Sequence, residues 1–393
     1  MSDHTPLFAR RIEQMRPSTI REILKVTAQP EVISFAGGLP APELFPVAEV
    51  RAAADEVLVQ HGSRALQYSQ SEGYPGLREW IAAEVGRRGI KAAMDDVLVT
   101  NGSQQVLDLA GKLFLNPGDV VLTENPTYLA AIQAFQTFEA RFVPVPTDEH
   151  GLIPEALPAL IKQHRPKFLY TIPNFQNPTG ITLTAARREA LARIAAEHKL
   201  LVLEDDPYGK LRYHGADIPP IKHWDTAGQV LYASTFSKTI APGLRTGWVV
   251  APPEIFSRLL ILKQASDLHT SSFDQLVAYT YLTKFDQTAH LEKIRRAYGE
   301  RYEVLDGALR AAMPAGFSWT KPEGGMFLWI TGPANLDALE LLQRAIAKKV
   351  AFVPGRDFFP ADAGKNYLRL NYSNSTPERI REGVSRLAAL CRG

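Results

Sequence analysis

Lys238 closes the stretch Ser234-Thr235-Phe236-Ser237-Lys238, and Arg245 follows seven residues later. A lysine relieved of its charge can form an imine with an aldehyde, and hydroxyls with an arginine can hold a phosphate. The string alone is a weak signal, because a lone lysine is usually a solvated surface group. Other segments add chemistry to it. Glu204-Asp205-Asp206-Pro207-Tyr208 follows the apolar run LLVL, so carboxylates and a phenol stand where a strand should end. A carboxylate facing a pyridine nitrogen keeps that nitrogen protonated. A metal site or an ordinary acidic loop would use the same carboxylates. Pro173-Asn174-Phe175-Gln176-Asn177-Pro178-Thr179-Gly180 follows the apolar run KFLYTI. Pro-Thr-Gly is turn chemistry, and an asparagine held in such a turn can donate a hydrogen bond to a ring oxygen. Thr100-Asn101-Gly102-Ser103-Gln104-Gln105 joins a strand pattern to a helix pattern. Glycine permits the tight turn, and a helix start offers N–H groups to a phosphate. A plain Ser103 N-cap explains that segment equally well.

The elements that must position these residues alternate. Short β-branched runs at 97–100, 120–123, 168–172, 200–204, 230–234 and 247–251 are separated by longer amphipathic stretches such as 104–115 and 185–198. Alternation of this kind predicts a mainly parallel sheet covered on both faces, with ligands at the strand ends. From about residue 288 a long charged helix pattern leads into strand-like runs at 326–330, 351–353 and 367–372 and a closing helix, the pattern of a smaller α+β domain. Before residue 47 lies an arm ending in the glycine- and proline-rich FAGGLPAPELFP, which favours extended or turning backbone.

Composition narrows the class. The chain has 393 residues, too many for one compact core, with 44 Lys plus Arg against 42 Asp plus Glu. That balance gives no electrostatic case for nucleic acid or an anionic membrane. The single cysteine, Cys391, excludes a disulfide framework and a cysteine-based metal site, and no metal is expected. No apolar run reaches the length of a membrane span, and the first residues lack the apolar core of a secretory signal. The expected compartment is the cytoplasm.

Taken in order, TNGSQQ, ENPTY, PNFQNPTG, EDDPY, STFSK, GLR and YLRLNYS resemble the fold-type I pyridoxal-phosphate aminotransferases of class I/II over nearly the whole chain. FAGGLPAPELFP and LQYSQSEGYPGLREWI have the character of the 2-aminoadipate and kynurenine aminotransferase branch. The resemblance implies an α/β, PLP-transferase type I fold with a mainly parallel seven-stranded sheet. It divides the chain into an N-terminal arm with a substrate-covering helix (1–46), a large cofactor-binding domain (47–287) and a small C-terminal domain (288–393). It further implies that pyridoxal 5'-phosphate is the cofactor and Lys238 the residue that bears it. Asp205 matches the partner of the ring nitrogen, and Tyr208 and Asn177 match those of the phenolic oxygen. Ser103, Gln104, Thr235, Ser237 and Arg245 fall at phosphate-binding positions, and Tyr128 at the ring-stacking position. Tyr68 matches a tyrosine that reaches the neighbouring subunit's phosphate, which implies a homodimer. Arg369 matches the arginine that grips the substrate's α-carboxylate; its planar fork suits bidentate pairing.

The implied reaction moves an amino group from an amino acid to a 2-oxo acid by a ping-pong route. For the substrate, Thr19 and Glu22 are spaced as a capping box, which puts Arg21 in a first helical turn. A cation there is mildly disfavoured by the helix dipole, which points to another use. In the resembling aminoadipate enzymes an arginine of this helix meets the distal carboxylate, and the Gly37-Gly38 turn lies close by. Acidic donors such as glutamate and 2-aminoadipate are therefore expected, with 2-oxoglutarate and glutamate as one pair and 2-aminoadipate or a broad apolar and aromatic set as its partner. The rival readings are another carbanion reaction on the same cofactor (decarboxylation, β-elimination or racemisation) and an aminotransferase-like ligand domain of a regulator.

Overall fold

The computed structural model of the chain describes residues 31–361 and 364–392, together with residues 4, 7–15, 23 and 29. A seven-stranded sheet lies at its centre. In chain order its strands are Val97–Thr100 (β1), Val120–Thr123 (β2), Arg141–Pro144 (β3), Phe168–Thr171 (β4), Leu201–Asp205 (β5), Val230–Thr235 (β6) and Gly247–Val250 (β7). Across the sheet they follow the order β1-β7-β6-β5-β4-β2-β3. β7 runs against both neighbours, and every other pairing is parallel.

Parallel neighbours need long crossovers, and helices Ser103–Phe114, Leu129–Gln136, Leu157–His164 and Ala185–His198 carry the chain from β1 to β5. With helices on both faces, nearly every strand residue is buried, so the strands read as continuous apolar runs. Alternate side chains serve different layers: Val97 and Val99 join one apolar cluster and Leu98 another. The edge strand β3 differs. Its Arg-Phe-Val-Pro sequence is only partly buried, with Arg141 exposed, and this is why its pattern does not announce a strand.

A second, four-stranded antiparallel sheet is built from Ser318–Trp319 (β8), Phe327–Thr331 (β9), Val353–Pro354 (β10) and Tyr367–Asn371 (β11), in the order β8-β9-β11-β10. The long helix Gln287–Ala312 packs against Pro377–Arg392. The Asp286 side chain caps that long helix by accepting from the Ala289 N–H at 3.0 Å. The arm joins this second layer: Ile33–Ser34 pairs in parallel with Val350–Ala351, and the Asn371 N–H donates to the Phe35 carbonyl. Among the described residues no helix is long and apolar enough to cross a membrane.

Candidate active site

The carboxyl ends of β1, β4, β5 and β6 carry the reactive segments. β6 runs into a single helical turn, Phe236–Lys238, capped by Thr235, whose Oγ1 accepts from the Ser237 N–H at 3.2 Å. The Thr235 and Ser237 hydroxyls lie 2.9 Å apart. Lys238 Nζ donates to the Gly38 carbonyl at 3.0 Å, so the arm meets the lysine directly. Desolvation brings the Lys238 pKa down to about 8, and the cations Arg369 and Arg245 push the same way.

On the neighbouring strand Asp205 is buried, and its Oδ2 accepts from the Tyr170 hydroxyl of β4 at 2.8 Å. Its Oδ1 is equally buried and has no hydrogen-bond partner among the described residues. Burial lifts the Asp205 pKa to about 7; Tyr170's hydrogen bond opposes that rise and the charge of Asp206 adds to it. Tyr208 lies beyond, buried, its ring edge-on to Phe327 at 5.9 Å. Burial raises its phenol's pKa, while the charge of Arg369 and a hydrogen bond with Asn177 act the other way.

Arg369 reaches the same place from β11 and is only 1 % exposed. Its Nη1 donates to Asn177 Oδ1 at 2.8 Å and its Nη2 to the Ala36 carbonyl at 2.6 Å. The guanidinium lies over the rings of Phe327 and Phe358, 4.4 and 5.0 Å from their centroids. Burial lowers its pKa to about 10, which leaves it charged at neutral pH. Its Nε is buried without a partner among the described residues. A charged fork held this way suits a carboxylate.

The turn after β1 is shaped by two glycines. Gly102 takes φ +70°, and a Cβ on Gly247 of β7 would fall 2.6 Å from the Gly102 carbonyl carbon and 2.7 Å from the Ser103 nitrogen. Gly102, not Ser103, is the N-cap, so Ser103 is the first helical residue and Gln104 the next. Arg245 Nη2 donates to the Asn101 carbonyl at 3.3 Å, which puts its guanidinium at this helix start. Asp267 secures the turn from behind, accepting from Asn101 Nδ2 at 2.5 Å and Gln105 Nε2 at 2.7 Å. Gln104 is exposed, its Nε2 at 3.5 Å from the Ala130 carbonyl.

Arg369, Asn177 and Tyr208 are linked through their contacts, Lys238 meets the Gly38 carbonyl, and Asp205 and Arg369 act electrostatically on Tyr208 and Lys238 respectively; Thr235, Ser237, Ser103 and Arg245 flank them. Tyr128 stands at the N-cap position of Leu129–Gln136, close enough to influence Tyr208 and Arg369 electrostatically. Tyr68 is 77 % exposed, and its ring meets His269 edge-on at 5.8 Å. Arg21 lies outside the described residues. Spacing alone missed Tyr170, the Ala36 carbonyl and the two phenylalanines around Arg369. The one available signal was the phenol of Tyr170 inside an otherwise apolar strand.

The donor set fits pyridoxal phosphate. An unpartnered, buried carboxylate oxygen suits a ring N–H, and an amine of lowered pKa suits an aldehyde. Hydroxyls and a guanidinium at a helix start suit a phosphate. Among the described residues no group of three or more His, Cys, Asp or Glu is placed to hold a metal ion.

Comparison with known proteins agrees with this chemistry. The model of the family "Aminotransferase class I and II" matches residues 30–387. The aromatic-amino-acid aminotransferase 1 of Thermococcus litoralis is 45 % identical over 98 % of this chain and 94 % of its own. The kynurenine aminotransferase of Pyrococcus horikoshii, solved in complex with PMP, KYN and KYA, is 42 % identical, with a TM-score of 0.95 over 99 % of this chain and 98 % of its own. The α-aminoadipate aminotransferase of Thermus thermophilus, solved with N-(5'-phosphopyridoxyl)-L-leucine, is 41 % identical, with a TM-score of 0.93 over 100 % of this chain and 98 % of its own.

Proposed function

The chain belongs to the class I and II aminotransferases, enzymes that use pyridoxal phosphate to transfer amino groups. From that premise we propose that 2-oxoglutarate and glutamate form one amino acceptor–donor pair, exchanged against 2-aminoadipate or a broad set of apolar and aromatic amino acids. The observation that carries the reading is Arg369, a buried guanidinium with an unpartnered Nε, flanked by two phenyl rings and bonded to Asn177. An α-amino acid presents the carboxylate that this fork takes up, and the two buried phenyl rings hold the guanidinium in place. The aromatic, kynurenine and α-aminoadipate relatives support that breadth.

When bound, pyridoxal phosphate supplies an electrophilic carbon for amines and an electron sink for the α-carbon. Lys238 would bear the cofactor and, once the substrate amine has displaced and freed it, would take the α-proton as a general base and return it. A lysine brought down to about 8 trades protons near neutral pH far more readily than one at the ordinary value. Asp205 Oδ1 holds the ring N–H, and Tyr170 fixes the carboxylate's other oxygen. Tyr208 and the Asn177 amide steady the phenolic oxygen. Asn177 can do this because its Oδ1 already accepts from Arg369, leaving Nδ2 to donate. Thr235, Ser237, Ser103, Gln104 and Arg245 would hold the phosphate, and Tyr128 would stand at the ring-stacking position.

Tyr68, open to solvent in one chain, completes the phosphate site of a second copy, so the active form is a homodimer. Gly38 serves the substrate side of the arm, and the resemblance assigns Arg21, outside the described residues, to the distal carboxylate of acidic substrates. The arm ends at residue 46, the large domain at 287, and residues 288–393 form the small domain. A panel of donors assayed against 2-oxoglutarate, with the cofactor's absorbance followed in each half-reaction, tests the substrate reading. Turnover confined to a single donor class would contradict it.

A further inference from the structure

Beside Asp205 the chain buries a second carboxylate that transamination as described leaves unused. Asp206 is 2 % exposed, as is Asp205. Its Oδ2 accepts from Arg88 Nη1 at 2.5 Å and from the Tyr232 hydroxyl at 3.0 Å. Its Oδ1 accepts from Asn174 Nδ2 at 2.8 Å and from the Gly209 N–H at 2.9 Å. Burial works against ionisation here, yet Arg88, Asn174 and Arg188 outweigh it and hold the Asp206 carboxyl below its ordinary range. Arg88 is the C-cap residue of helix Pro75–Arg87 and also donates to the Tyr232 hydroxyl at 2.6 Å.

The other charged groups acting on this pair are Glu204 of β5, Arg188 from helix Ala185–His198, and Lys210, which is itself paired with Glu84. Glu204 is held by the N–H groups of Ile221 and Lys222, and Arg188 is spent on backbone carbonyls and Asn174. Arg188 stays charged, whereas burial lifts the Glu204 pKa to about 7. With Asp205 ionised, Asp205, Asp206 and Arg88 sum to a single negative charge, the complement of one protonated ring nitrogen. Without Arg88, the Asp206 carboxylate would add an uncompensated negative charge next in the chain to Asp205. Without Asp206, a cation would stand unbalanced beside the pyridinium.

We propose that Arg88 and Asp206 are a positioning pair that sets the charge around Asp205 and thereby how firmly the ring nitrogen keeps its proton. The proposal rests on Asp205 being the ring-nitrogen partner.

The test uses holoenzyme loaded with ring-15N pyridoxal phosphate, following the nitrogen's chemical shift against pH and measuring cofactor Kd on the same samples. Asp206→Asn should lower the ring-nitrogen pKa by about one unit or more, a tenfold change. Arg88→Gln should raise it, Arg88→Lys should stay near the parent, and the double variant Arg88→Gln/Asp206→Asn should return towards the parent value. A pair that served packing alone would give single variants moving in the same direction and a double variant worse than either; that pattern overturns the proposal. If Arg88→Gln does not fold, the fall in Asp206→Asn and its reversal in the double variant decide the matter. A parent enzyme unprotonated at the ring nitrogen would count against the Asp205 reading itself. A protonated parent with superimposable variants would count against the pair alone.

Discussion

The two walls of the site hold their charged groups in different ways. The wall made by the strand ends anchors its hydroxyls and carboxylate through near neighbours: Thr235 and Ser237 hold one another, and Tyr170 holds Asp205 from the adjoining strand; only Lys238 reaches out, to the arm's Gly38 carbonyl. The opposite wall assembles Arg369 from pieces far apart in the chain. The Asn177 amide, the Ala36 carbonyl and the rings of Phe327 and Phe358 all meet on one guanidinium. The first wall can be formed once the sheet is in register, whereas the second requires the arm and the antiparallel sheet to close over it. Cofactor chemistry should therefore depend on few local contacts, and substrate grip on the mutual placement of both sheets and the arm.

The comparison can be broken most severely at Lys238. Lys238→Ala should cut the transamination rate by about 10⁴-fold or more, since both the nucleophile and the general base are lost; single-turnover measurements read this. The next largest effect separates the walls. Arg369→Gln should lower kcat/KM by about 10²- to 10³-fold, the scale of losing one partner of a buried, charge-assisted contact. Cofactor Kd should scarcely change, and a parallel loss of cofactor affinity would show that the walls are not separable.

A third prediction follows from the lysine's ionisation. Below its lowered pKa the amine is charged and unreactive; above it the amine is neutral. Covalent capture of the cofactor by apo-protein should therefore rise about tenfold per pH unit and level off near about 8. Stopped-flow absorbance measures it, and a plateau only near 10 would contradict the desolvated setting of Lys238. The smallest effects belong to single hydrogen bonds within the first wall. Tyr208→Phe and Tyr170→Phe should each cost roughly 3- to 10-fold in kcat, from about 0.5–1.5 kcal/mol per bond, with the absorbance band shifting for Tyr208→Phe.

The same contrast explains what the sequence discloses. Strands buried on both faces announce themselves as apolar runs, and the stretches holding Lys238, Asp205 and Tyr208 follow on the ends of those runs, so position singles these out, whereas the role of Asn177, on the opposite wall, comes from the family resemblance. β3 was not, because an edge strand with an exposed arginine and a closing proline carries little of that pattern. Nor did spacing disclose the Tyr170–Asp205 bond or the Arg88–Asp206 pair, since contacts between strands and across 118 residues of chain depend on register and packing. Ser103 illustrates a smaller gap. Its cap-forming residue type suggested the N-cap, but the close approach of Gly247 makes Gly102 turn first.

Borohydride reduction of the pyridoxal-phosphate-loaded enzyme, followed by peptide mass mapping, tests the central claim most directly. The account predicts one reduced phosphopyridoxyl adduct per chain, on the ε-nitrogen at position 238. An adduct on a different lysine, or an unmodified Lys238 in fully loaded protein, would contradict it.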